Sequence, residues 1–180
     1  MSSETLDIVY DIVTEKQLQE RHILAVLVDN EFGVLNRVVG LFSARGYNIE
    51  ALTVAEVDSK RGLSRITIVT TGSQQTIIQI KHLLERMVPV HKVHDLTTEG
   101  AHVERELALV KVTGVGDERV EALRIADIFR ARSVDATTES FIFELTGKSA
   151  KIDSFIDLMK ALGLIEVART GAAAMARGKK

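Results

Sequence analysis

Residues 23–38 read ILAVLVDNEFGVLNRV and place an apolar strand, a polar turn and an apolar helix in direct succession. The turn ends at Gly33, where the helix starts. The first backbone N–H groups of a helix lack acceptors within it, and that end carries partial positive charge. A glycine also removes the Cβ that would keep a ligand away from the backbone. The junction therefore predicts a regulatory site for the carboxylate of a small amino acid, although Asn30 as an ordinary helix cap and Gly33 as a tight turn would give the same pattern.

The pattern around this junction extends into one βαββαβ unit. Residues 22–28 predict the first strand, and the helix after Gly33 ends near Gly46, which suits a left-handed position after the last turn. Strands at 47–57 and after Gly62 come next, then a helix capped by Ser73, then a strand at 88–96. The helical faces are carried by apolar residues at spacings of three and four, namely Val34, Leu35, Val38, Leu41 and Phe42, and then Ile77, Ile80, Leu84 and Met87. This order is the ferredoxin-like arrangement.

The same order returns in the second half of the chain. Strands are predicted at 106–112, 134–138, 141–146 and 164–170, with helices marked by Ala122, Ile125, Ala126 and Phe129 and by Ile152, Phe155, Ile156 and Met159. The sequence thus predicts an α+β fold with two ferredoxin-like βαββαβ domains, at 21–98 and 103–171. Residues 1–20 are interpreted as an N-terminal extension and residues 172–180 as a mobile tail.

The first strand is apolar at nearly every position. An antiparallel sheet with helices on one face alone should alternate apolar and polar residues. A second domain or a second subunit is therefore expected to cover the other face, and we predict a homodimer at least.

Composition excludes several classes of function. The 180 residues carry a formal charge of −2, so neither nucleic acid nor an anionic membrane is expected as a partner. With no cysteine, disulfides, thiolate catalysis and cysteine-ligated metal are ruled out. No apolar stretch reaches the roughly 20 residues that cross a bilayer, so the expected location is the cytoplasm. Aromatic residues make up only 4%, too few for base-stacking platforms.

Motifs that would indicate catalysis fail on inspection. Residues 146–149, TGKS, resemble the end of a phosphate-binding loop, but Ile142 stands where its first glycine belongs. Residues 114–116, GVG, are followed by Arg119 in place of the third glycine of a dinucleotide fingerprint. His91 and His94 are three apart on a predicted strand and point to opposite faces. We therefore predict no catalytic residues, no metal ligands and no cofactor in this chain, and leave open a divalent ion in the second domain.

Six segments together resemble the small, regulatory subunit of acetohydroxyacid synthase, also called acetolactate synthase. They are DNEFGVL at 29–35, GLFSARGYNI at 40–49, LTV at 52–54, LSR at 63–65, GAHVEREL at 100–107 and IEVARTG at 165–171. The resemblance implies an N-terminal ACT domain, a C-terminal ACT-like domain and a dimer with effector sites between two ACT domains. It also implies a catalytic subunit that carries thiamine diphosphate, Mg and FAD. The small subunit would activate that enzyme and confer feedback inhibition, usually by valine.

The resemblance also implies which residues bind the effector. Asn30, Gly33, Val34 and Leu35 would come from one chain, and Asn48, Ile49, Thr53 and Ala55 would complete the site, with Asn48 and Ile49 from the facing chain. Gln79 is a weaker, regulatory candidate. Phe32 departs from the family, because this position is often small there, and so valine, leucine and isoleucine stay open as effectors. A free-standing tandem ACT sensor that regulates transcription or another enzyme is the alternative function.

Overall fold

The computed structural model describes residues 19–178, so the predicted extension lies almost entirely outside the described residues. The first half holds four strands and two helices. In chain order these are β1 (Glu20–Asp29), α1 (Val34–Ala44), β2 (Ala51–Asp58), β3 (Leu63–Gly72), α2 (Gln74–Glu85) and β4 (Val90–Asp95). The strands form one antiparallel sheet in the order β2-β3-β1-β4. The predicted βαββαβ order is confirmed.

The second half repeats the arrangement and adds one strand. Its elements are β5 (His102–Thr113), α3 (Asp117–Phe129), β6 (Arg132–Ala136), β7 (Ser140–Gly147), α4 (Ser149–Lys160), β8 (Leu164–Arg169) and β9 (Ala173–Ala176). The main sheet runs in the order β6-β7-β5-β8, and β9 pairs with the first residues of β5. The α+β class with two ferredoxin-like domains is confirmed.

Each half buries its own apolar core between its sheet and its two helices. In the first half, Leu24 and Val26 of β1 pack with residues of α1 and α2, among them Phe42 and Ile80. In the second half, alternate residues of β5 and β7 meet α3 and α4, with Phe143 and Phe155 at the centre. The helical stripes seen in the sequence therefore face the sheets.

The second face of the first sheet is covered by the C-terminal segment of the same chain. Ile23 and Ala25 of β1 form a separate buried cluster with Ala172 and Ala174. Residues 172–176, predicted as part of a mobile tail, are instead a buried residue followed by strand β9. Small apolar side chains let this backbone approach the sheet closely. The face predicted to need a second domain or a second subunit is therefore covered from within the chain, and the finding removes the reason for which a second subunit was inferred.

The predicted second strand at 47–57 starts four residues late, at Ala51. Gly46 has a left-handed backbone (φ 69°), and the Tyr47 amide returns to the Phe42 carbonyl at 3.0 Å. This closes α1 and leaves residues 47–50 as a loop that crosses to the sheet edge. No described helix is long and apolar enough to span a membrane.

Candidate effector site

Backbone hydrogen bonds fix the turn between β1 and α1. The Asn30 amide donates to the Gly62 carbonyl (2.7 Å), and the Asp29 amide donates to the Pro89 carbonyl (2.9 Å). The turn is therefore bound to two neighbouring loops at one end of the sheet. Since it cannot move independently of the sheet, the start of α1 is held in a fixed position.

Helix α1 begins without a side-chain cap. Its N-cap residue is Gly33, with φ 84° and ψ −5°, and no acidic residue lies in the first turn. Asn30 is therefore not the cap; its Nδ2 instead donates to Glu56 Oε1 at 3.3 Å. Among the described residues, loop carbonyls accept from Val34 and Arg37, and the amides of Leu35 and Asn36 have no backbone acceptor. The helix start thus has amides without backbone acceptors, and the nearby Glu31 carboxylate is paired with Arg37 (3.4 Å).

The space in front of Gly33 is open. A Cβ built on this residue would meet no atom within 4 Å. Val34 points into the core and can offer a ligand only its backbone, whereas Leu35 is 40% exposed. A small anion can therefore approach the first amides of α1, with an apolar side chain beside them.

One chain does not bring both halves of the predicted site together. Asn48 and Ile49 precede β2, whereas Asn30 lies beside Glu56 near the far end of that strand. A strand of this length spans about 25 Å. The Asn48 carbonyl accepts from Thr70 Oγ1 at 2.6 Å, and Ile49 is half-buried against the core. These two residues are thus attached to the sheet and its core but distant from Gly33.

Two other predicted residues lie on the opposite face of β2. Thr53 Oγ1 donates to the Ala172 carbonyl (2.9 Å), so its side chain faces the C-terminal segment. Ala55 is on the same face because side chains alternate along a strand, and Val54 and Glu56 share the face of Asn30. Alternation of side chains along residues 51–58 thus separates the two sets and adds Val54 and Glu56 as candidates that the resemblance does not name.

Gln79 lies on α2 at the Asn48 end of the sheet. Its Oε1 accepts from the Tyr47 hydroxyl at 3.3 Å, and the Tyr47 ring meets Phe42 edge to face. Gln79 therefore holds the loop that precedes β2 and does not contact Gly33. No group of three His, Asp or Glu side chains arranged to hold a metal occurs within residues 19–178.

Both halves of the chain match family models of known proteins. A family model described as the small subunit of acetolactate synthase matches residues 105–178, and one described as the AHAS small subunit-like ACT domain matches residues 24–92. The acetolactate synthase small subunit of Haemophilus influenzae is 47% identical over 161 residues, which cover 89% of this chain and 98% of that protein. The chain belongs to the acetolactate synthase small-subunit family.

Two further relatives agree. The acetolactate synthase isozyme 3 small subunit of Escherichia coli is 45% identical over 89% of this chain and 98% of its own length. The crystal structure of the acetolactate synthase small subunit from Thermotoga maritima matches with a TM-score of 0.78 at 38% identity, over 89% of this chain and 99% of that one. The names of these small subunits support the role of a regulatory subunit and imply a catalytic subunit as partner.

The two family segments at 100–107 and 165–171 meet in an ion-pair network that sequence analysis did not foresee. Arg21 of the first domain donates through Nη2 to Glu104 Oε1 (2.5 Å). Arg169 donates hydrogen bonds to both carboxylate oxygens of Glu106 (2.6 and 2.9 Å) and to Asp153. The Ser149 hydroxyl lies within hydrogen-bonding distance of both glutamates (3.1 and 3.0 Å), which share its one proton. The alternating charges of residues 103–107 (VEREL) could have indicated this network, because they place Glu104 and Glu106 on one face of a strand.

This network lowers the pKa values of two carboxyl groups. Burial raises the pKa of Glu106, but hydrogen bonds from Arg169 and Ser149 outweigh it and bring it below its ordinary value. Burial also raises the pKa of Glu104, but the hydrogen bond and the charge of Arg21 outweigh it and bring that pKa below its ordinary value. Both groups are therefore held as carboxylates. Glu106 lines a cleft of about 510 Å³ between the two domains, and Leu52 and Ala172 are among its other lining residues.

Proposed function

We propose that this chain is the regulatory subunit of acetolactate synthase, which activates the catalytic subunit and confers feedback inhibition by valine in branched-chain amino acid synthesis. The observation that carries the proposal is the uncapped start of α1 at Gly33, with open space before it. The chain supplies no catalytic group of its own in this proposal. Thiamine diphosphate, Mg and FAD would belong to the catalytic subunit.

The chemistry of the junction suits a free amino acid. The carboxylate would accept from the amides at the start of α1, and the Asn30 amide oxygen and the Glu56 carboxylate would take the ammonium group. Leu35 and Val54 offer apolar contact to a branched side chain. A carboxylate at a helix start contributes up to about 2 kcal/mol, and burial of the side chain about 1.5–3 kcal/mol. After association costs, an affinity between about 10 µM and 1 mM follows, which suits a metabolite sensor.

A second copy of the chain would complete the site. Strand β2 lies at the edge of its sheet, with Val54 and Val57 exposed at 44% and 53%. If two β2 edges pair antiparallel about a two-fold axis, the start of one strand lies beside the end of the other. Asn48 and Ile49 of the second copy would then reach Gly33 of the first. This geometry supports a homodimer independently of the apolar face that first suggested one.

Val54→Asp is expected to weaken this dimer. Two aspartates would face each other across the seam, and like charges directly opposite on paired strands are unfavourable. Sedimentation equilibrium should show a dissociation constant raised at least about tenfold, since 1.4 kcal/mol corresponds to that factor. Val134→Asp is the matched control, because Val134 is 47% exposed on the edge strand of the other sheet. Unchanged association of Val54→Asp would refute the β2 seam.

The function itself is tested with the purified catalytic subunit. The full chain should co-purify with it, raise its turnover of pyruvate with thiamine diphosphate and make that turnover valine-sensitive. The isolated chain should show no turnover. If the chain neither binds the catalytic subunit nor changes its rate, the proposal is wrong.

The tandem sensor alternative is disfavoured by the second domain. Its corresponding helix, α3, also starts after a glycine, Gly116, but Asp117 and Glu118 occupy its first turn. These carboxylates already satisfy the positive helix end and would repel an anionic effector. The start of α3 is also uncapped and open at Gly116, so these two acidic residues are what distinguish it from the start of α1.

A further inference from the structure

The C-terminal segment 170–174, which we name the relay segment, packs against the back of β2. Thr53 Oγ1 donates to the Ala172 carbonyl at 2.9 Å. A Cβ on Gly171 would lie 3.4 Å from the Ala51 Cβ, so the two backbones are already close. The side chains on this face of β2 thus touch the relay segment, while Val54 and Glu56 on the other face adjoin the proposed effector site.

The relay segment is bound to both domains. On the side of the first domain, Arg65 Nη2 donates to the Ala174 carbonyl at 2.8 Å. On the side of the second domain, Ala173 pairs with Arg105 of β5, and Arg169 just before the segment bonds Glu106 and Asp153. These contacts make the relay segment a direct connection between β2 and the second domain.

We propose that the relay segment transmits effector occupancy from β2 to the second domain, with Thr53 as the positioning residue that couples the two. The inference rests on the proposed function, in which β2 forms the seam that binds valine. Among the described strands of one chain, β2 is hydrogen-bonded to β3 alone, so its other edge is the seam at which the ligand and the second copy act on it. The hydrogen bonds from Thr53 and Arg65 then displace the relay segment. The ion pairs of Arg169 shift with it. The effector site and the output surface are thereby joined through one defined contact.

The substitution Thr53→Val separates transmission from binding. Valine has nearly the shape of threonine and suits a strand, but it cannot donate to Ala172. We expect the affinity for valine, measured by calorimetry, to change less than about threefold. The ratio of complex activity without valine to that at saturating valine should fall by about 2- to 30-fold, the range of coupling changes along such contacts. Activation in the absence of valine should stay as in the wild type.

Thr71→Val is the matched control. Thr71 is an exposed strand threonine whose hydroxyl bonds Glu50 and does not contact the relay segment. It should leave both binding and inhibition unchanged. Gly171→Ala is a second, independent test, since Gly171 has φ 78°, a left-handed conformation that strains a residue with a Cβ, and the added Cβ would lie in contact with Ala51. It should also reduce inhibition while valine still binds.

The possible outcomes separate a failure of the relay from a failure of the proposed function on which it rests. If the wild-type complex is valine-sensitive and valine inhibits Thr53→Val and Gly171→Ala as strongly as the wild type, the relay is refuted and the effector site stands. If Thr53→Val abolishes valine binding, the contact shapes the site and does not transmit, which also refutes the relay. If wild-type protein binds no valine, the proposed function fails first. A thermal melt of each variant shows whether the fold is intact, and for a variant that does not fold the other one decides.

Discussion

Gly33→Asp is expected to raise the valine concentration for half-maximal inhibition at least about 100-fold while activation of the catalytic subunit is retained. The new carboxylate would occupy the position that the effector carboxylate takes at the start of α1. The effector would lose a helix-end interaction of up to about 2 kcal/mol and a charged hydrogen bond of about 1.5–3 kcal/mol. Each 1.4 kcal/mol is a factor of ten in affinity. Activity titrations with valine measure the change.

The variant should fold, because a Cβ at Gly33 would meet no protein atom within 4 Å. Its left-handed backbone, φ 84°, costs an aspartate about 1–2 kcal/mol at most. Gly33→Ala carries the same backbone strain without the charge and should lose far less affinity. Gly40→Asp adds the same charge in the middle of α1, where there is also open space, and should keep full inhibition. Retained inhibition in Gly33→Asp would mean that valine binds elsewhere.

The junction that holds Gly33 was predictable from sequence because its signals are local. An apolar run, a glycine and a helical stripe lie within residues 23–38, and each has its own stereochemical meaning. The βαββαβ order followed for the same reason. The uncapped helix start was not predictable, since Asn30 is a good capping residue and only the turn geometry directs it to Glu56 instead.

Contacts between distant segments could not be predicted in the same way. The AAMA stretch at 173–176 has no periodicity that specifies a strand, and its partner lies about 70 residues earlier in β5. The position of Thr53 on the back of β2 could not be predicted for a related reason. A residue-by-residue resemblance carries positions over but not the face on which each side chain lies, and a period of two decides that face.

Arg169→Leu is expected to lower the free energy of unfolding by about 2–3 kcal/mol. Glu106, whose side chain is 5% exposed, would lose its bidentate partner and keep the Ser149 hydroxyl as hydrogen-bond donor and the more distant charge of Arg21. A buried charge left without its partner costs about 3–5 kcal/mol, and we expect somewhat less because Arg169 is 32% exposed. Urea unfolding followed by circular dichroism measures the change. Arg132→Leu is the matched control, since its pair with Glu144 is exposed and should contribute less than about 0.5–1 kcal/mol.

Removing both partners should restore most of the loss. The double variant Glu106→Leu with Arg169→Leu buries apolar groups in place of a charge pair, which is often neutral or stabilising. The pH dependence gives an independent check, because the pKa of Glu106 lies below its ordinary value of 4.5 in the folded protein. Its stabilising contribution is then complete above that value and is lost as the pH falls below it. The advantage of the wild type over Arg169→Leu should therefore be full near neutral pH and shrink in acid. A difference between them that does not change with pH, or a double variant as unstable as the single one, would show that Arg169 acts by packing and not through its charge.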